Sequence, residues 1–243
     1  MDGVAAKPMM MPKTTFVPPV IGHRGACGHA PENTLVSFRR AAALGVRWVE
    51  FDVSLSRDRE VVVLHDEGLE RTTNGGGLVA EKDWAELQAF DAGAWYDEEF
   101  SGARIPSLGQ AISVLAELGL GANIEIKPGP GQSDETGRIT AARLRAEWPV
   151  TLPPPVISSF DSESLKAARN TAPDIPRALV VSNFPRIGAI GLPRSVVPRC
   201  TAITNISRLA KQVKYLTPAS RSDALPSTGP RAPQRSSAGA SRR

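Results

Sequence analysis

The 243-residue chain has only two cysteines, Cys27 and Cys200, and they lie far apart in the sequence. Neither belongs to a CxxC pair, so we expect neither a zinc site nor a disulfide framework. No apolar run approaches the roughly 18 residues that a membrane-spanning helix requires. The N-terminus lacks the continuous apolar segment and the small-residue cleavage site of a secretory signal. We therefore expect a cytoplasmic protein without a membrane span.

Negative charge is scarce at the C-terminal end of the chain. Residues 186–243 contain eleven Lys or Arg and one acid, Asp223, for a net charge of +10, whereas the preceding 185 residues carry −6. The same segment has six prolines, eight serines and one aromatic residue, Tyr215. This composition predicts a basic, Ser/Pro-rich tail that is partly disordered. A basic-tailed nucleic-acid-binding protein is an alternative function, but one aromatic residue offers little base stacking, and we expect no nucleic acid partner.

Short β-branched runs alternate with segments of helical periodicity between residues 19 and 185. The strand candidates are VIGHRG, RWVEFDVSLS, REVVVLHD, GANIEIK, PVISSF and RALVVS. The helix candidates are ENTLVSFRRAAALG, SLGQAISVLAELG, ITAARLRAEW and SESLKAARN. Asn33 or Thr34 is placed to cap the first helix and Gly45 to end it. The alternation predicts an α/β fold with a parallel sheet, either a β/α barrel or an open doubly wound sheet.

The chain divides into three predicted regions. Residues 1–18 form a flexible leader, residues 19–185 the β/α unit, and residues 186–243 the basic tail. The stretch at about 67–105 fits neither one helix nor one strand, and we interpret it as an insertion into the β/α unit. Its aromatic residues predict a small satellite core that includes Trp84, Trp95 and Phe100.

Four charged residues on two strand candidates indicate a metal and phosphate site. Side chains two positions apart on a strand share a face, so Glu50 and Asp52 form one pair and Glu125 and Lys127 another. Three carboxylates at the carboxyl ends of barrel strands repel one another unless a cation lies between them, and oxygen ligands favour Mg²⁺ or Ca²⁺. Arg24 and Lys127 beside such an ion indicate an anionic substrate, for which phosphate is the obvious candidate.

Two of the three histidines are placed to transfer protons. His23 lies near the end of the first strand candidate and His65 near the end of the third, whereas His29 has no partner and is interpreted as a loop residue. Two histidines on opposite sides of a phosphate supply a base for the attacking oxygen and an acid for the leaving one. The combination predicts metal-assisted cleavage of a phosphodiester.

The motifs that carry these residues resemble those of the glycerophosphodiester phosphodiesterase family. They are HRGACGHAPENT, EFDVSLSRDREVVVLHDEGLERTTNG, DAGAWYDEEFSGARIPSL, NIEIK and ISSF, in that order. The resemblance covers about residues 19–181. It is specific, because a His-Arg-Gly loop, a Glu-x-Asp strand, a His-Asp pair and a Glu-x-Lys strand rarely occur together by chance. It implies a TIM-type β/α barrel of the phospholipase-C-like phosphodiesterase kind, with a small insertion.

The resemblance also implies a role for each matched residue. His23 corresponds to the general base and His65 to the general acid, while Arg24 and Lys127 contact the phosphate. The implied metal ligands are Glu50, Asp52 and Glu125.

The implied reaction is hydrolysis of small-molecule glycerophosphodiesters such as glycerophosphocholine, which yields glycerol 3-phosphate and an alcohol. The attacking oxygen is either a glycerol hydroxyl, which gives a cyclic phosphate that water then opens, or water itself. An enzyme that acts on intact lipid is a second alternative, but it would need an apolar docking segment, and the sequence shows none.

The sequence departs from the family pattern at two minor places and one major one. Arg59 stands where the family has a turn glycine, and Gly109-Gln110 replaces an acidic pair. After about Pro185 the further βα units of the family are not recognisable. Our hypothesis is a frameshift or alternative splice that leaves the barrel incomplete at its C-terminus. An inactive relative is therefore an alternative to an active enzyme.

The coding DNA tests this hypothesis directly. If a frameshift produced the tail, translation of the region after codon 185 in the other two frames should reveal the missing strand motifs of the family. If both frames lack them, the hypothesis is wrong.

Overall fold

The computed structural model describes residues 17–181 of the chain. The predicted tail at 186–243 and nearly all of the predicted leader at 1–18 lie outside the described residues. The strands are β1 (Trp48–Leu55), β2 (Val61–Val63), β3 (Gly121–Ile126), β4 (Val156–Ser159) and β5 (Arg177–Leu179). The helices are α1 (Leu35–Ala43), the one-turn α2 (Trp84–Leu87), α3 (Leu108–Leu118), α4 (Ser133–Glu147) and α5 (Ser162–Thr171).

The strands form one sheet in the order β2-β1-β3-β4-β5. The β1–β2 pair is antiparallel, and β1, β3, β4 and β5 run parallel to one another. Helices connect β3 to β4 and β4 to β5, as crossovers between parallel strands require. The sheet and its helices confirm the predicted α/β fold of the TIM-barrel type.

The apolar face of the sheet packs against the helices to form the main core. Phe51 of β1, Ile124 of β3 and Ile157 of β4 are fully buried on this face. The ring of Phe38 from α1 lies 5.2 Å from that of Phe51, between centroids. Because side chains alternate along a strand, the residues between these positions point to the opposite face.

The opposite face begins with a small apolar floor at the amino ends of the strands. Ile21, Trp48, Val156 and Ala178 form this buried cluster. Gly121 leaves room for the indole ring, since a Cβ atom at Gly121 would lie 2.4 Å from Cε2 of Trp48. The polar residues farther along β1 and β3 are thus supported from below.

Two helix boundaries agree with their predicted signals, and one does not. Thr34 is the N-cap of α1, where its side chain accepts a hydrogen bond from Ser37 N, and Gly45 follows the helix with a φ of 81°. Helix α4 begins at Ser133, six residues before the predicted ITAARLRAEW segment, and includes Gly137.

The predicted strand VIGHRG is wrong as an extended element. Only Gly22 pairs with the sheet, through a single parallel bridge to Val49. Its N–H donates to Trp48 O at 2.9 Å, and its carbonyl accepts from Glu50 N at 2.8 Å. The strand ends there because the backbone turns at Arg24, whose φ is 49°.

The insertion has the satellite core that the sequence predicts, but with partly different members. Trp84 packs against this cluster, whose buried residues include Leu69, Leu87 and Ile105. Trp95 and Phe100 do not belong to it, because they form edge-to-face contacts with Tyr96 instead, and Trp95 is 40% exposed. The prediction placed these two residues wrongly.

The contact between α4 and α5 leads to a prediction about Gly137. A Cβ atom there would lie 2.2 Å from the backbone oxygen of Ser164. Glycine-to-alanine changes inside helices usually stabilise by about 1 kcal/mol. We expect Gly137→Ala instead to lower the free energy of unfolding by about 1–3 kcal/mol, because the helices must move apart. Urea denaturation measures this difference.

Gly109→Ala in α3 is the matched control. Its new methyl group would meet side-chain atoms at 3.4 Å or more, which is an ordinary contact. This variant should be at least as stable as the wild type. Equal stability of both variants would show that α4 and α5 are not packed as closely as described.

Candidate active site

The loop from Gly22 to Thr34 carries His23 and Arg24 to the carboxyl end of β1. Arg24 N donates to Glu50 Oε2 at 3.0 Å, and Gly25 N donates to Glu50 O at 3.1 Å. Ser37 of α1 holds the other side, since its hydroxyl donates to Arg24 O at 2.9 Å. A side chain at Gly25 would collide with Ser37, and its φ of 85° also favours glycine. The HRG motif is therefore a tight turn fixed between strand and helix.

The three carboxylates predicted to bind a metal lie together on one face of the sheet, two on β1 and one on β3. Asp52 pairs in register with Glu125 across the two strands, and Glu50 lies two residues before Asp52 on the same face. One oxygen from each carboxylate lies within 4.8 Å of the others. Asp52 is the most deeply placed, with 1% of its surface exposed.

The charges around these carboxylates do not balance. Arg24 Nε lies 3.3 Å from Asp52 Oδ2, and Lys127 Nζ lies 2.6 Å from Glu125 Oε1. Arg24 also pairs with Glu32, so Arg24 and Lys127 do not fully offset the charges of Glu50, Asp52 and Glu125. Burial raises the pKa of Glu50 well above its usual range, and the neighbouring charges of Asp52 and Glu125 raise it further.

This donor set fits a hard divalent cation. Carboxylate oxygens are the ligands that Mg²⁺ and Ca²⁺ prefer, and the like charges that raise the pKa of Glu50 are those a cation would compensate. Glu50, Asp52 and Glu125 are the residues that could hold it.

Asn33 is a member of the site that the sequence analysis did not identify, since it was considered there only as a helix cap. Its Nδ2 donates to Asp52 Oδ2 at 2.9 Å, and its Oδ1 accepts from Asp52 N at 3.2 Å. Asn33 itself has a φ of 58°, which asparagine tolerates better than most residues. The pair of hydrogen bonds fixes the orientation of the Asp52 carboxylate.

His23 faces the carboxylates with one ring nitrogen. Its Nε2 lies 3.9 Å from Glu50 Oε2, and its Nδ1 lies 3.7 Å from the sulfur of Cys27. Partial loss of hydration lowers the pKa of His23, and the nearby charge of Arg24 lowers it further. The neutral imidazole, which can accept a proton, is therefore favoured near neutral pH.

His65 follows β2 and is held by its neighbour in the sequence. Its Nδ1 lies 2.5 Å from Asp66 Oδ1, and Arg71 Nε donates to the other oxygen of Asp66 at 2.5 Å. The side chain of His65 is 30% exposed. The hydrogen bond from Arg71 lowers the pKa of Asp66 far below its usual range, so this carboxylate stays ionised.

Lys127 stands immediately after β3, beside the carboxylates. Its Nζ lies 3.6 Å from Asp52 Oδ1 and 5.1 Å from the centre of the Phe160 ring. Phe160 is 54% exposed at the end of β4, so the ammonium group has an aromatic wall on one side.

The structure thus joins six of the seven predicted site residues by direct contacts, namely His23, Arg24, Glu50, Asp52, Glu125 and Lys127. His65 is connected to them through hydrogen bonds of Asp66, Arg71 and Glu32. His29 lies in the loop, as the sequence analysis expected, and its backbone N–H donates to Ala26 O. Sequence reasoning missed Glu32, Asn33, Asp66 and Arg71. Glu32 and Asn33 lie in the PENT part of the first family motif, and Asp66 and Arg71 lie in the HDEGLERTT part of the second. Their presence in these motifs was the only sequence signal for a role in the site.

The comparison with known families agrees with this arrangement. A sequence model of the Glycerophosphoryl diester phosphodiesterase family matches residues 23–188, which is more than half of the chain. The chain belongs to this family. The matched span includes every residue of the candidate site.

Related proteins and solved structures carry the same family name or a similar one. The glycerophosphodiester phosphodiesterase of Caldanaerobacter subterraneus subsp. tengcongensis is 36% identical over 165 residues, which are 66% of this chain and 65% of that protein. A phosphodiesterase of Oleispira antarctica, solved with the product sn-glycerol-3-phosphate, is 37% identical, has a TM-score of 0.68, and is matched over 83% of this chain and 72% of its own. The glycerophosphodiester phosphodiesterase of Agrobacterium tumefaciens strain C58 is 34% identical with a TM-score of 0.58 over 66% of this chain and 65% of its own.

The chain spans about 65% of the length of the curated glycerophosphodiester phosphodiesterases it resembles. The family is metal-dependent, in agreement with the acidic group at Glu50, Asp52 and Glu125. None of the described helices is long and apolar enough to cross a membrane.

The electrostatics of Glu50 predict a pH dependence for the metal-free protein. Its pKa is raised on folding above the ordinary value of 4.5, so the folded state keeps a proton that the unfolded state has released. Stability then falls as the pH rises from 4.5 through the raised pKa. We expect the wild type to lose stability relative to Glu50→Gln over this range in EDTA, as measured by urea denaturation.

The exposed Glu98 provides the control, because Glu98→Gln should follow the wild-type curve. If the Glu50→Gln curve also runs parallel to that of the wild type, the carboxylates do not repel one another as described.

Proposed function

We propose that this chain hydrolyses glycerophosphodiesters to glycerol 3-phosphate and an alcohol with the aid of a divalent cation. The observation that carries the proposal is the grouping of three carboxylates with Arg24, Lys127 and His23 on one face of the sheet. Hydrogen bonds through Asp66, Arg71 and Glu32 connect His65 to this group. Family membership and the glycerol 3-phosphate bound to the Oleispira antarctica relative support the same substrate class.

Arg24 and Lys127 are the proposed phosphate contacts. Both cations already neighbour Asp52, so an incoming phosphate would share them with the carboxylates. The side chain of Arg24 is 17% exposed and that of Lys127 24% exposed, which leaves part of each accessible. Exposed Phe160 beside Lys127 offers an apolar surface to the carbon atoms of the substrate.

Glu50, Asp52 and Glu125 are the proposed ligands of the cation, which we take to be Mg²⁺ or Ca²⁺. When bound, such a cation polarises the phosphate and lowers the pKa of an oxygen nucleophile. The roles of the remaining residues follow from their own contacts.

His23 is the proposed general base and His65 the proposed general acid. The lowered pKa of His23 leaves its imidazole neutral, so it can take the proton of the attacking hydroxyl as the new P–O bond forms. The bond to the leaving alcohol then breaks, and its oxygen receives the Nε2 proton of His65 in its doubly protonated form. The ring is left neutral, with its remaining proton on Nδ1, which faces Asp66. Whether a glycerol hydroxyl or water attacks first, the same two transfers are required.

The proposed catalytic unit is the β/α region at 19–185, with the segment at about 67–105 as its insertion. An inactive relative remains the alternative, and one observation favours it. The outer edge of β5 pairs with no strand among the described residues, so the described sheet is open on that side.

Release of glycerol 3-phosphate from glycerophosphocholine tests the proposal. We expect release with Mg²⁺ or Ca²⁺, none with EDTA, and a loss of kcat of about 10²–10⁴-fold in His23→Ala, because the attacking oxygen loses its base. A coupled glycerol 3-phosphate assay measures the rate.

His29→Ala is the matched control, and it should retain the wild-type rate because the proposed proton transfers do not involve His29. Circular dichroism of each variant distinguishes a loss of chemistry from a loss of folding. A folded wild type that releases no glycerol 3-phosphate from any glycerophosphodiester with either ion would contradict the proposal in favour of an inactive relative.

A further inference from the structure

Arg71 connects the two loops that carry the histidines. Its Nη1 and Nη2 donate to the two oxygens of Glu32 at 2.9 and 2.8 Å, while its Nε and Nη2 donate to the two oxygens of Asp66 at 2.5 and 3.0 Å. The guanidinium thus bridges two carboxylates that lie 34 positions apart in the sequence. We call Glu32, Arg71 and Asp66 the arginine bridge.

Each end of the arginine bridge contacts a residue of the proposed active site. Glu32 accepts a hydrogen bond from Arg24 Nη1 at 2.6 Å, and Asp66 lies 2.5 Å from His65 Nδ1. The bridge therefore links a phosphate contact to the proposed general acid.

The charge state of Asp66 determines which nitrogen of His65 carries the proton toward it. An ionised carboxylate has no hydrogen to donate, so Nδ1 of His65 must be the donor in this contact. Arg71 keeps Asp66 ionised, since its hydrogen bond lowers the pKa of that carboxyl. Nε2 is then the nitrogen that gains and loses a proton at the substrate.

We propose that Arg71 is a positioning residue that fixes His65 through Asp66, with the proton on Nδ1 and Nε2 directed to the leaving alcohol, while Glu32 anchors the bridge to Arg24. This inference rests on the proposed function. It assigns Arg71 a role beyond packing, because its side chain is 44% exposed and an exposed ion pair contributes little to stability.

The leaving group separates a positioning role from a merely structural one. Choline departs as an alkoxide unless it is protonated, whereas p-nitrophenolate departs without help from an acid. We expect Arg71→Gln and Asp66→Asn to lower kcat for glycerophosphocholine by about 10²-fold or more, with a smaller effect on KM. The kcat of the same variants for the p-nitrophenyl ester of glycerol 3-phosphate should fall much less. The kcat of Arg71→Lys for glycerophosphocholine should lie between those of the wild type and Arg71→Gln. Lysine keeps the positive charge but cannot form the bidentate hydrogen bonds of arginine.

Arg39→Gln is the matched control, because Arg39 forms a bidentate ion pair with Glu117 on the surface outside the site. This variant should cleave both substrates with the wild-type kcat. The proposal would be overturned if Arg71→Gln lost kcat equally on both substrates. It would also be overturned if Arg71→Gln cleaved glycerophosphocholine at the wild-type rate.

The tautomer of His65 provides a test that does not require activity. The chain has three histidines, so ¹⁵N-histidine spectra of the metal-free protein can be assigned with a His65→Gln variant. At a pH where the ring is neutral, we expect Nδ1 of His65 to carry the proton in the wild type, and the Nε2–H form to gain population in Arg71→Gln and Asp66→Asn. An Nε2–H tautomer in the wild type, or no change in the variants, would overturn the proposal.

The two tests also separate this proposal from the proposed function. If the wild type cleaves neither substrate while the tautomer responds as expected, the proposed function fails and the arginine bridge still orients His65. If the wild type is active and the tautomer does not respond, only the positioning role fails.

Discussion

Repulsion among three closely spaced carboxylates, one of them buried, is the constraint around which the site is arranged. Glu50, Asp52 and Glu125 lie within 4.8 Å of one another, and charges at such distances interact strongly where water is excluded. The pKa of Glu50 is raised by burial and by the charges of Asp52 and Glu125, which shows that ionising all three carboxylates is unfavourable. Arg24 and Lys127 offset part of it, and a divalent cation would offset the remainder. The two basic residues and the three proposed metal ligands therefore form one electrostatic unit, in which the positive charges reduce the repulsion among the carboxylates.

The fold holds this unit rigid from two sides. On one face, apolar residues of β1 and β3 pack against the helices, and on the other, Trp48 and its neighbours form a floor beneath the carboxylates. Asn33 then holds Asp52 from above through two hydrogen bonds. Because each carboxylate is fixed by strand register and by a neighbouring group, the repulsion cannot be relieved by a simple rotation of the side chains.

Local sequence patterns predicted what depends on neighbours along the chain. Alternation placed Glu50 and Asp52 on one face, and Thr34 and Gly45 marked the ends of α1. The same reasoning extended a strand through VIGHRG, because the left-handed turn at Arg24 is imposed by the contact with Glu50 and α1 rather than by its own residues. The exposure of Trp95 likewise depends on how the insertion folds back on itself, which composition does not reveal.

Contacts between distant segments account for the rest of the site. The proposed positioning role of Arg71 depends on its contact with Glu32. No sequence pattern within either loop predicts that the two residues pair. The proposed metal ligands, in contrast, depend on a single register, the parallel pairing from Trp48↔Gly121 to Val53↔Ile126. The open edge of the described sheet lies at β5, two strands away from β3. The carboxylates are therefore positioned by strand pairing that does not involve that edge, whereas β4 and β5 contribute the floor and the Phe160 wall.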